Sequence, residues 1–269
     1  MRRAGAVVVL LLAAATAQAD YATVDGVKMY YEVHGAGPPL LLLHGGTTTI
    51  AYSWGKQLAR FARKHRVIAV EQMGHGHTAD VPTRAMSYEQ MAEDTLALLT
   101  QLKIATVDVV GWSDGGTIGL LLAMRHPERV RKLVVSGPNC RDGRTAEMES
   151  WLASSKPEEW PKDIRDAYVK VSPDGAAHWP LFVERVKKMW AGFADWDEKE
   201  LAKVSAPTLI MVGDGDFIRT EHAVELHRAI AESRLWVLPG TGHNTFNERA
   251  EWVDAVVLPF LDEPMAPKK

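Results

Sequence analysis

Gly111-Trp112-Ser113-Asp114-Gly115 is the stretch that decides the fold of this chain. The apolar run 107–110 before it predicts a short buried strand, and the run 116–123 after it predicts a helix. A G-x-S-x-G sequence at a strand-to-helix junction is typical of a nucleophile elbow, a sharp turn that lifts a serine Oγ above a sheet. Glycines on either side remove the Cβ atoms that would clash in so tight a bend. We therefore expect Ser113 to be a catalytic nucleophile.

A serine hydroxyl needs a histidine base and a carboxylate that orients the histidine. In this architecture both follow the serine along the chain, the acid before the histidine. The β-rich run 207–212 is followed by Asp214 and Asp216, and His243 lies in a loop after the next β-rich run. Because the two acids are two residues apart, strand alternation does not choose between them. The sequence thus predicts His243 as the base and leaves two candidate acids.

Acyl transfer also needs backbone N–H donors at the point where negative charge develops on the carbonyl oxygen. One donor should be the N–H of Asp114, the residue after the nucleophile, and the other should come from a loop after an early strand. Leu40-Leu41-Leu42-Leu43 predicts that strand, and His44-Gly45-Gly46 follows it directly. This loop is the candidate second half of an oxyanion hole.

At this point the chain resembles the α/β-hydrolase superfamily, in its lipase, esterase and peptidase-like branch. The matching segments span about residues 40–245 and are 44–46, 74–78, 111–116, 126–130, 213–216 and 242–243. The resemblance implies an α/β fold with a mostly parallel sheet, helices on both faces and a helical cap insertion. It also implies that Gly46 gives the second oxyanion N–H, and that the spacing from Gly213 selects Asp216 as the acid.

Two features separate the chain from parts of that superfamily. Where the family usually has an aspartate opening D-x-x-G-x-G-x-S, this chain has Glu71, and Thr78 ends the motif. Because that loop is mainly structural in the family, we expect a local adjustment there. The serine nucleophile argues against haloalkane dehalogenases and epoxide hydrolases, which resemble this fold but use aspartate.

The order of predicted elements divides the chain into a core and an insertion. Strands alternate with helices over 20–137 and 206–263, which we assign to the α/β-hydrolase core. Between them, residues 138–205 break the alternation and hold five of the nine tryptophans, so we assign them to a helical cap whose aromatic rings either wall a pocket or pack on one another. Ser87 predicts the start of a helix that runs to about Leu102, and residues 264–269 read as a loose tail.

The first residues have the layout of a signal peptide. Arg2-Arg3 precedes an apolar stretch and Ala17-Gln18-Ala19 is an A-x-A cleavage site, which predicts residues 1–19 as a signal peptide cut after Ala19. The alternative is an uncleaved membrane anchor, but the apolar run is short for a bilayer span. We therefore expect a secreted or periplasmic protein without stable membrane association. Cleavage changes the net charge from −3 to −5, which suggests no nucleic-acid partner.

Other candidate sites are weaker. The single cysteine, Cys140, cannot form an internal disulfide, and as a nucleophile it is poorly supported because the sequence places no partner histidine for it. His75 and His77 with Asp80 lack the further ligands of a metal site, so we predict no metal. Because neither a P-loop nor a dinucleotide fingerprint is present, we predict no cofactor.

The sequence therefore favours a serine hydrolase that cleaves a carboxylic ester of a small-molecule acyl substrate. Lactones, amides and C–C bonds are alternatives on the same fold, with a cofactor-free haloperoxidase-type side activity, and a ligand-binding or receptor protein with residual hydrolysis is the alternative of another class. Gly-Trp-Ser-Asp-Gly-Gly is similar to the elbow of the valacyclovir hydrolase group, where an acid at this position suits amino-acyl esters. By that resemblance Asp114, with Trp112, is a candidate substrate-binding residue.

Overall fold

A computed structural model describes residues 18–140 and 142–265 of the chain. Within these residues, eight strands form one sheet in the order β1-β2-β4-β3-β5-β6-β7-β8. The strands are β1 Gln18–Val24, β2 Val27–His34, β3 Pro39–Leu43, β4 Arg66–Val70, β5 Val107–Trp112, β6 Val130–Ser136, β7 Thr208–Gly213 and β8 Ser233–Leu238. β2 runs antiparallel to β1 and β4, and every other pair is parallel. This sheet confirms the predicted α/β-hydrolase fold class.

The helices connect these strands. In the described part of the chain they are α1 Ile50–Trp54, α2 Leu58–Phe61, α3 Tyr88–Gln101, α4 Asp114–Arg125, α5 Ala146–Ser154, α6 Lys162–Val171, α7 Trp179–Gly192, α8 Glu198–Leu201, α9 Thr220–Ala229, α10 Thr245–Glu248 and α11 Ala250–Asp262. The predicted start of α3 is seen in Ser87, whose Oγ accepts a hydrogen bond from the N–H of Gln90 at 3.2 Å. The helix ends one residue earlier than the sequence suggested.

The parallel register brings the carboxyl ends of the central strands to one edge of the sheet. Leu43, the last residue of β3, pairs with Gly111 of β5, and Trp112 pairs with Ser136 at the end of β6. Gly213 of β7 pairs in turn with Leu238 of β8. Loops that leave parallel strands at matched positions emerge side by side, and ligands of open α/β sheets bind at this edge.

Two hydrophobic layers enclose the sheet. Along β3, Leu41 and Leu43 belong to one layer, and Leu40 and Leu42 belong to the other. Successive side chains of a strand point to opposite faces, so a strand covered on both sides needs a continuous apolar run. The four leucines are fully buried. This explains why the strand before the His-Gly-Gly loop lacks the polar alternation of an exposed strand.

Four helices, α5 to α8, lie between β6 and β7, inside the segment that the sequence assigned to a cap. The aromatic rings of this segment, in the helices and in the turn between α5 and α6, pack mainly on one another. Trp160 stacks on Trp190 with centroids 5.6 Å apart, and Tyr168 stacks on Phe182 at 5.0 Å. Such pairs add about 0.5–1.5 kcal/mol each beyond their buried area. Aromatic packing therefore holds this helical layer together.

Two predictions made from the sequence concern the ends of the chain. Residues 1–17 of the predicted signal peptide and residues 266–269 of the predicted tail lie outside the described residues. Gln18 and Ala19, the last two residues of the predicted signal peptide, open β1, where they pair with Val33 and Glu32. Among the described residues, no helix has the length and apolarity that a membrane crossing requires.

Candidate active site

Ser113 sits on a strained turn between β5 and α4. Its backbone has φ 55° and ψ −122°, a region that residues with a Cβ rarely adopt. A Cβ on Gly111 would overlap the carbonyl of Gly115, and a Cβ on Gly115 would overlap the carbonyls at the end of β3. Both glycines are therefore required by close backbone approach. Strain of this kind costs about 1–3 kcal/mol and is concentrated at functional sites.

Backbone hydrogen bonds hold the serine in that conformation. Its N–H donates to Ser136 O at 2.8 Å, and its carbonyl accepts from Gly116 N at 2.8 Å and Thr117 N at 3.1 Å. Ser113 is buried except for about 6% of its surface. The turn therefore presents the hydroxyl at a fixed point beside the N-terminus of α4, where the helix dipole favours negative charge.

His243 and Asp216 form a hydrogen-bonded pair. His243 Nδ1 lies 2.7 Å from Asp216 Oδ1, and the same oxygen accepts the N–H of Ile218 at 2.9 Å. The Asp216 side chain is fully buried, and that of His243 is 15% exposed. With Nδ1 donating to the carboxylate, His243 carries its lone pair on Nε2. That nitrogen is buried and has no hydrogen-bond partner among the described residues.

The backbone and ring of His243 are also fixed. The indole N–H of Trp112 donates to the carbonyl of His243 at 2.8 Å, and the Phe217 ring lies 3.9 Å from the imidazole, centroid to centroid. Trp112 is 5% exposed, and a Cβ on Gly45 would press on its six-membered ring. Trp112, a candidate substrate-binding residue on sequence grounds, is thus placed beneath the loops, where it supports the histidine.

Asp214, the other candidate acid, has a different contact. Its Oδ1 accepts the N–H of Thr241 at 3.1 Å, in the loop that leads to His243. Hydrogen bonds from the N–H groups of Gly240 and Thr241 lower the pKa of this exposed carboxyl. The structure therefore brings Asp216 to the imidazole and uses Asp214 to shape the loop.

The His-Gly-Gly loop is held by a neutral histidine. The N–H of Gln72 donates to His44 Nε2 at 3.1 Å, so Nδ1 carries the proton and donates to Gly45 O at 2.8 Å. Burial lowers the pKa of His44, which keeps the ring neutral. A Cβ on Gly46 would overlap Asp114 Oδ2 and the indole of Trp190. Gly46 therefore lies directly against the first residue of α4.

The carboxylate of Asp114 is the centre of a buried network. Its Oδ1 accepts from Tyr88 Oη at 2.6 Å and Asn139 Nδ2 at 2.9 Å, and Trp190 Nε1 donates to Oδ2 at 2.8 Å. The residue is 3% exposed. Burial raises the pKa of Asp114, and these three hydrogen bonds oppose the rise. The network joins the elbow to α3, to the loop after β6 and to α7 of the insertion.

Contacts within the neighbouring loops accommodate Glu71, which stands where the family usually has the shorter aspartate. The longer side chain is buried, and its Oε1 accepts the N–H of Ile50 at 3.0 Å, at the start of α1. Its Oε2 lies 2.8 Å from His77 Nδ1, and the His77 ring stacks on Tyr30. The other residues weighed as metal ligands point elsewhere, since His75 Nδ1 bonds Met73 O. Glu71 is thus a loop-fixing carboxylate.

The expectation for Cys140 was wrong in one respect. A partner histidine does exist, because His222 Nε2 lies 3.3 Å from Cys140 Sγ. No sequence pattern indicates this pairing, since the two residues are 82 positions apart and His222 lies on the buried face of α9. Burial, reinforced by the nearby Asp195 carboxylate, raises the pKa of the thiol, so Cys140 stays protonated and is a poor nucleophile.

A strained serine, a buried acid–histidine pair and a glycine loop at the carboxyl edge of a parallel sheet define a hydrolase of the α/β class. The chain belongs to the alpha/beta hydrolase family, whose family model matches residues 40–256.

Named relatives share that class. The human serine hydrolase BPHL is 28% identical over 254 residues, which cover 88% of this chain and 84% of that protein. The solved enol-lactonase from Burkholderia xenovorans LB400 is 25% identical with a TM-score of 0.72, covering 90% and 100% of the two chains. The meta-cleavage product hydrolase CumD of Pseudomonas fluorescens IP01 is 21% identical with a TM-score of 0.75, covering 91% and 97%, and this likeness concerns the fold alone.

The contact between Glu71 and His77 should make the free energy of unfolding depend on pH. The hydrogen bond that His77 donates to the Glu71 carboxylate raises the pKa of His77, against the opposing effect of burial. A raised pKa means that this stabilisation is fully present below the unfolded value of about 6.5 and is lost as the pH rises through the higher folded value. The free energy of unfolding, measured with urea, should be higher for wild type than for His77→Gln. The difference should be largest at about pH 6 and smallest at about pH 9. An equal difference at both pH values would contradict this assignment.

Proposed function

We propose that this protein is a serine hydrolase that cleaves a carboxylic ester or related acyl bond through an acyl-enzyme on Ser113. The observation that carries the proposal is the 2.7 Å hydrogen bond between His243 and the buried Asp216, which leaves His243 Nε2 without a hydrogen-bond partner among the described residues. An imidazole held in this tautomer can accept a proton only at Nε2. The strained φ of Ser113 is the independent support, because such strain is retained where function requires it.

In this mechanism His243 Nε2 takes the proton from Ser113 Oγ as the oxygen attacks the substrate carbonyl carbon. Asp216 stabilises the imidazolium that forms and stays ionised. The tetrahedral intermediate collapses when His243 gives its proton to the leaving oxygen, which leaves an ester on Ser113. Water then attacks this ester with His243 again as the base, and release of the acid restores the serine hydroxyl.

The oxyanion would be held by the backbone N–H groups of Gly46 and Asp114. The Asp114 N–H is the first of α4, where no preceding turn supplies an acceptor. The packing of Gly46 against Asp114 supports a second donor within the same small volume. Donors fixed in this way need no reorganisation when charge develops on the oxygen.

Ester cleavage is favoured over amide and C–C bond cleavage by the better leaving group of an ester, and the relatives do not decide between these reactions. Lactones react by the same steps. The likeness to the enol-lactonase named above supports a lactone substrate equally well. Amide and C–C bond cleavage need protonation of a poorer leaving group by the same His243. A ligand-binding protein would bind such substrates without turnover.

We also propose export, with the signal peptide cut after Ala19, and a small-molecule acyl substrate.

Covalent labelling tests the nucleophile. A fluorophosphonate probe should label the wild-type protein, and hydrolysis of p-nitrophenyl acetate to octanoate should show turnover. Ser113→Ala should lose both the label and the activity, because it removes the proposed nucleophile and leaves the His243–Asp216 pair in place. The same change at Ser154, an exposed serine at the end of α5, should keep the label. Persistent labelling of Ser113→Ala would refute the proposal.

A second experiment separates the two acids. Asp216→Asn should lower kcat by about 1,000- to 10,000-fold, because an amide no longer fixes the tautomer or stabilises the imidazolium. Asp214→Asn keeps an oxygen that can accept from Thr241, so its kcat should fall by less than about tenfold. Steady-state kinetics on one ester measures both variants. A larger loss from Asp214→Asn would show that the acid has been assigned to the wrong residue.

The oxyanion loop can be tested by adding a single methyl group. Gly46→Ala should lower kcat by about 100- to 1,000-fold, since the new Cβ overlaps Asp114 Oδ2 and displaces the donors. Gly192→Ala is the matched control, because a Cβ there meets nothing within 4 Å. Its kcat should stay within about twofold of wild type. Equal effects of the two substitutions would rule out a special role for Gly46.

A second candidate function is preference for esters of α-amino acids. Asp114 favours it, because the donors to this buried carboxylate are all neutral and no salt bridge reaches it from the described residues. A substrate ammonium at 4 Å would gain about 4 kcal/mol at an effective dielectric near 20, before desolvation is subtracted. An ammonium group placed beside the ester carbonyl could therefore supply the missing positive charge.

Matched neutral and α-amino esters test that preference. Wild type should show a kcat/KM at least about tenfold higher for the amino ester, equal to about 1.4 kcal/mol. Asp114→Asn should remove the preference. Tyr88→Phe, which keeps the charge and removes only one donor, should retain it. No preference in wild type, or an undiminished one in Asp114→Asn, would exclude this substrate class while leaving the serine mechanism intact.

A further inference from the structure

Three side chains of metal-ligating type meet outside the candidate active site. Cys140 follows β6, Asp195 lies between α7 and α8, and His222 belongs to α9. Cys140 Sγ lies 3.3 Å from His222 Nε2 and 3.7 Å from Asp195 Oδ1. One ligand atom from each residue falls within 4.8 Å of the other two. No step of the proposed hydrolysis uses these groups.

The residues around this cluster hold its side chains in place. Cys140 and His222 are each about 1% exposed. The Trp196 ring stacks on the imidazole at an interplanar angle of 15°, which fixes its plane. A Cβ on Gly143 would come within 2.8 Å of both the sulfur and the ring, so only glycine leaves them room.

The histidine also carries an unmet polar requirement. His222 Nδ1 is buried and has no hydrogen-bond partner among the described residues. The nearest carboxylate oxygens, from Asp195 and Glu225, lie at 3.5 Å and 3.6 Å. A metal on Nε2 would place the proton on Nδ1, where a carboxylate can accept it, as is usual for metal-bound histidines. The thiol thus faces the ring nitrogen that would bind the metal, and the other ring nitrogen faces two carboxylates.

We propose that Cys140, Asp195 and His222 bind one zinc-type divalent cation. Zinc bonds of about 2.0–2.3 Å in a tetrahedron separate neighbouring ligand atoms by about 3.5 Å. The sulfur lies at nearly that distance from His222 Nε2 and from Asp195 Oδ1, and the imidazole and carboxylate ligand atoms lie within 4.8 Å of each other, so small side-chain movements would complete the set. Binding forms a metal–sulfur bond and releases the thiol proton to water, with no change of oxidation state. The thiolate and the carboxylate then balance the two positive charges, and His222 adds a neutral ligand.

The ligand set selects the kind of metal. A thiolate and an imidazole favour zinc over magnesium or calcium, which prefer oxygen ligands. Three protein ligands leave a fourth position for water. Access runs past Asp195, whose side chain is 31% exposed and which lines a surface cleft of about 500 Å³. The bound ion would join the end of α7 to the core helix α9.

Cobalt substitution tests this site without reference to hydrolysis. Tag-free, reduced wild-type protein titrated with Co²⁺ should develop a thiolate-to-cobalt charge-transfer band that saturates at one ion per chain. Zn²⁺ should abolish the band by displacement and should raise the Tm by a few degrees. Since Cys140 is the only cysteine in the sequence, the band can arise from no other sulfur.

Variants locate the ligands. Cys140→Ser should remove the band, and Asp195→Asn should weaken Co²⁺ binding by at least about tenfold, the lower end of the effect of losing even an outer partner. His227→Gln is the control, because this histidine lies on the same helix but bonds Ser233. It should keep both the band and the zinc-dependent Tm shift.

Two results would overturn the assignment. One is the absence of the charge-transfer band in wild type at Co²⁺ concentrations that saturate weak surface sites. The other is an unchanged cobalt affinity in Asp195→Asn, a substitution that keeps the size of a side chain already 31% exposed. If Cys140→Ser does not fold, the wild-type spectrum and Asp195→Asn still decide the question.

Discussion

The approach of α4 to the end of β3 is the constraint on which the site depends. Gly115 lies so close to the carbonyls of Leu43 and His44 that no other residue fits without displacing the backbone. This contact joins the elbow to the strand that precedes the His-Gly-Gly loop. Because β3 and β5 also pair in parallel up to Leu43 and Gly111, the loops after them are fixed relative to each other by both sheet and helix. The distance between the proposed nucleophile and the proposed oxyanion donors is therefore set by backbone packing.

Buried carboxylates then fix the loops that the sheet leaves free. Glu71 holds the start of α1 and the loop at His77, Asp216 holds the imidazole, and Asp114 holds Tyr88 and Trp190. Each is removed from water, so each costs free energy unless donors replace the lost hydration. The donors come from different segments of the chain, and their loss would leave a charge unpaired. A buried acid in this site therefore acts as a geometric restraint as well as a chemical group.

Sequence reasoning reached the fold and the order of the polar groups, because both depend on local pattern. A strand followed by G-x-S-x-G, and a histidine in a loop after a later strand, are readable within a few residues. The choice between Asp214 and Asp216 was not, since alternation treats them alike and only the family spacing separated them. The His222 partner of Cys140 and the Tyr88 partner of Asp114 were missed for another reason. Both contacts depend on how helices that are distant in the sequence pack together, and no short-range sequence pattern indicates that packing.

The insertion is coupled to the elbow by charge as well as by apolar contact. Trp190 of α7 packs on Gly46 and donates its indole N–H to Asp114. Moving α7 away from the core would break this hydrogen bond and leave part of a buried carboxylate without a donor, at a cost of about 1–3 kcal/mol. That cost corresponds to roughly a 5- to 150-fold shift in the equilibrium between closed and open positions. The same contact lies against the proposed oxyanion donors, so the position of α7 and the geometry of the site cannot vary independently.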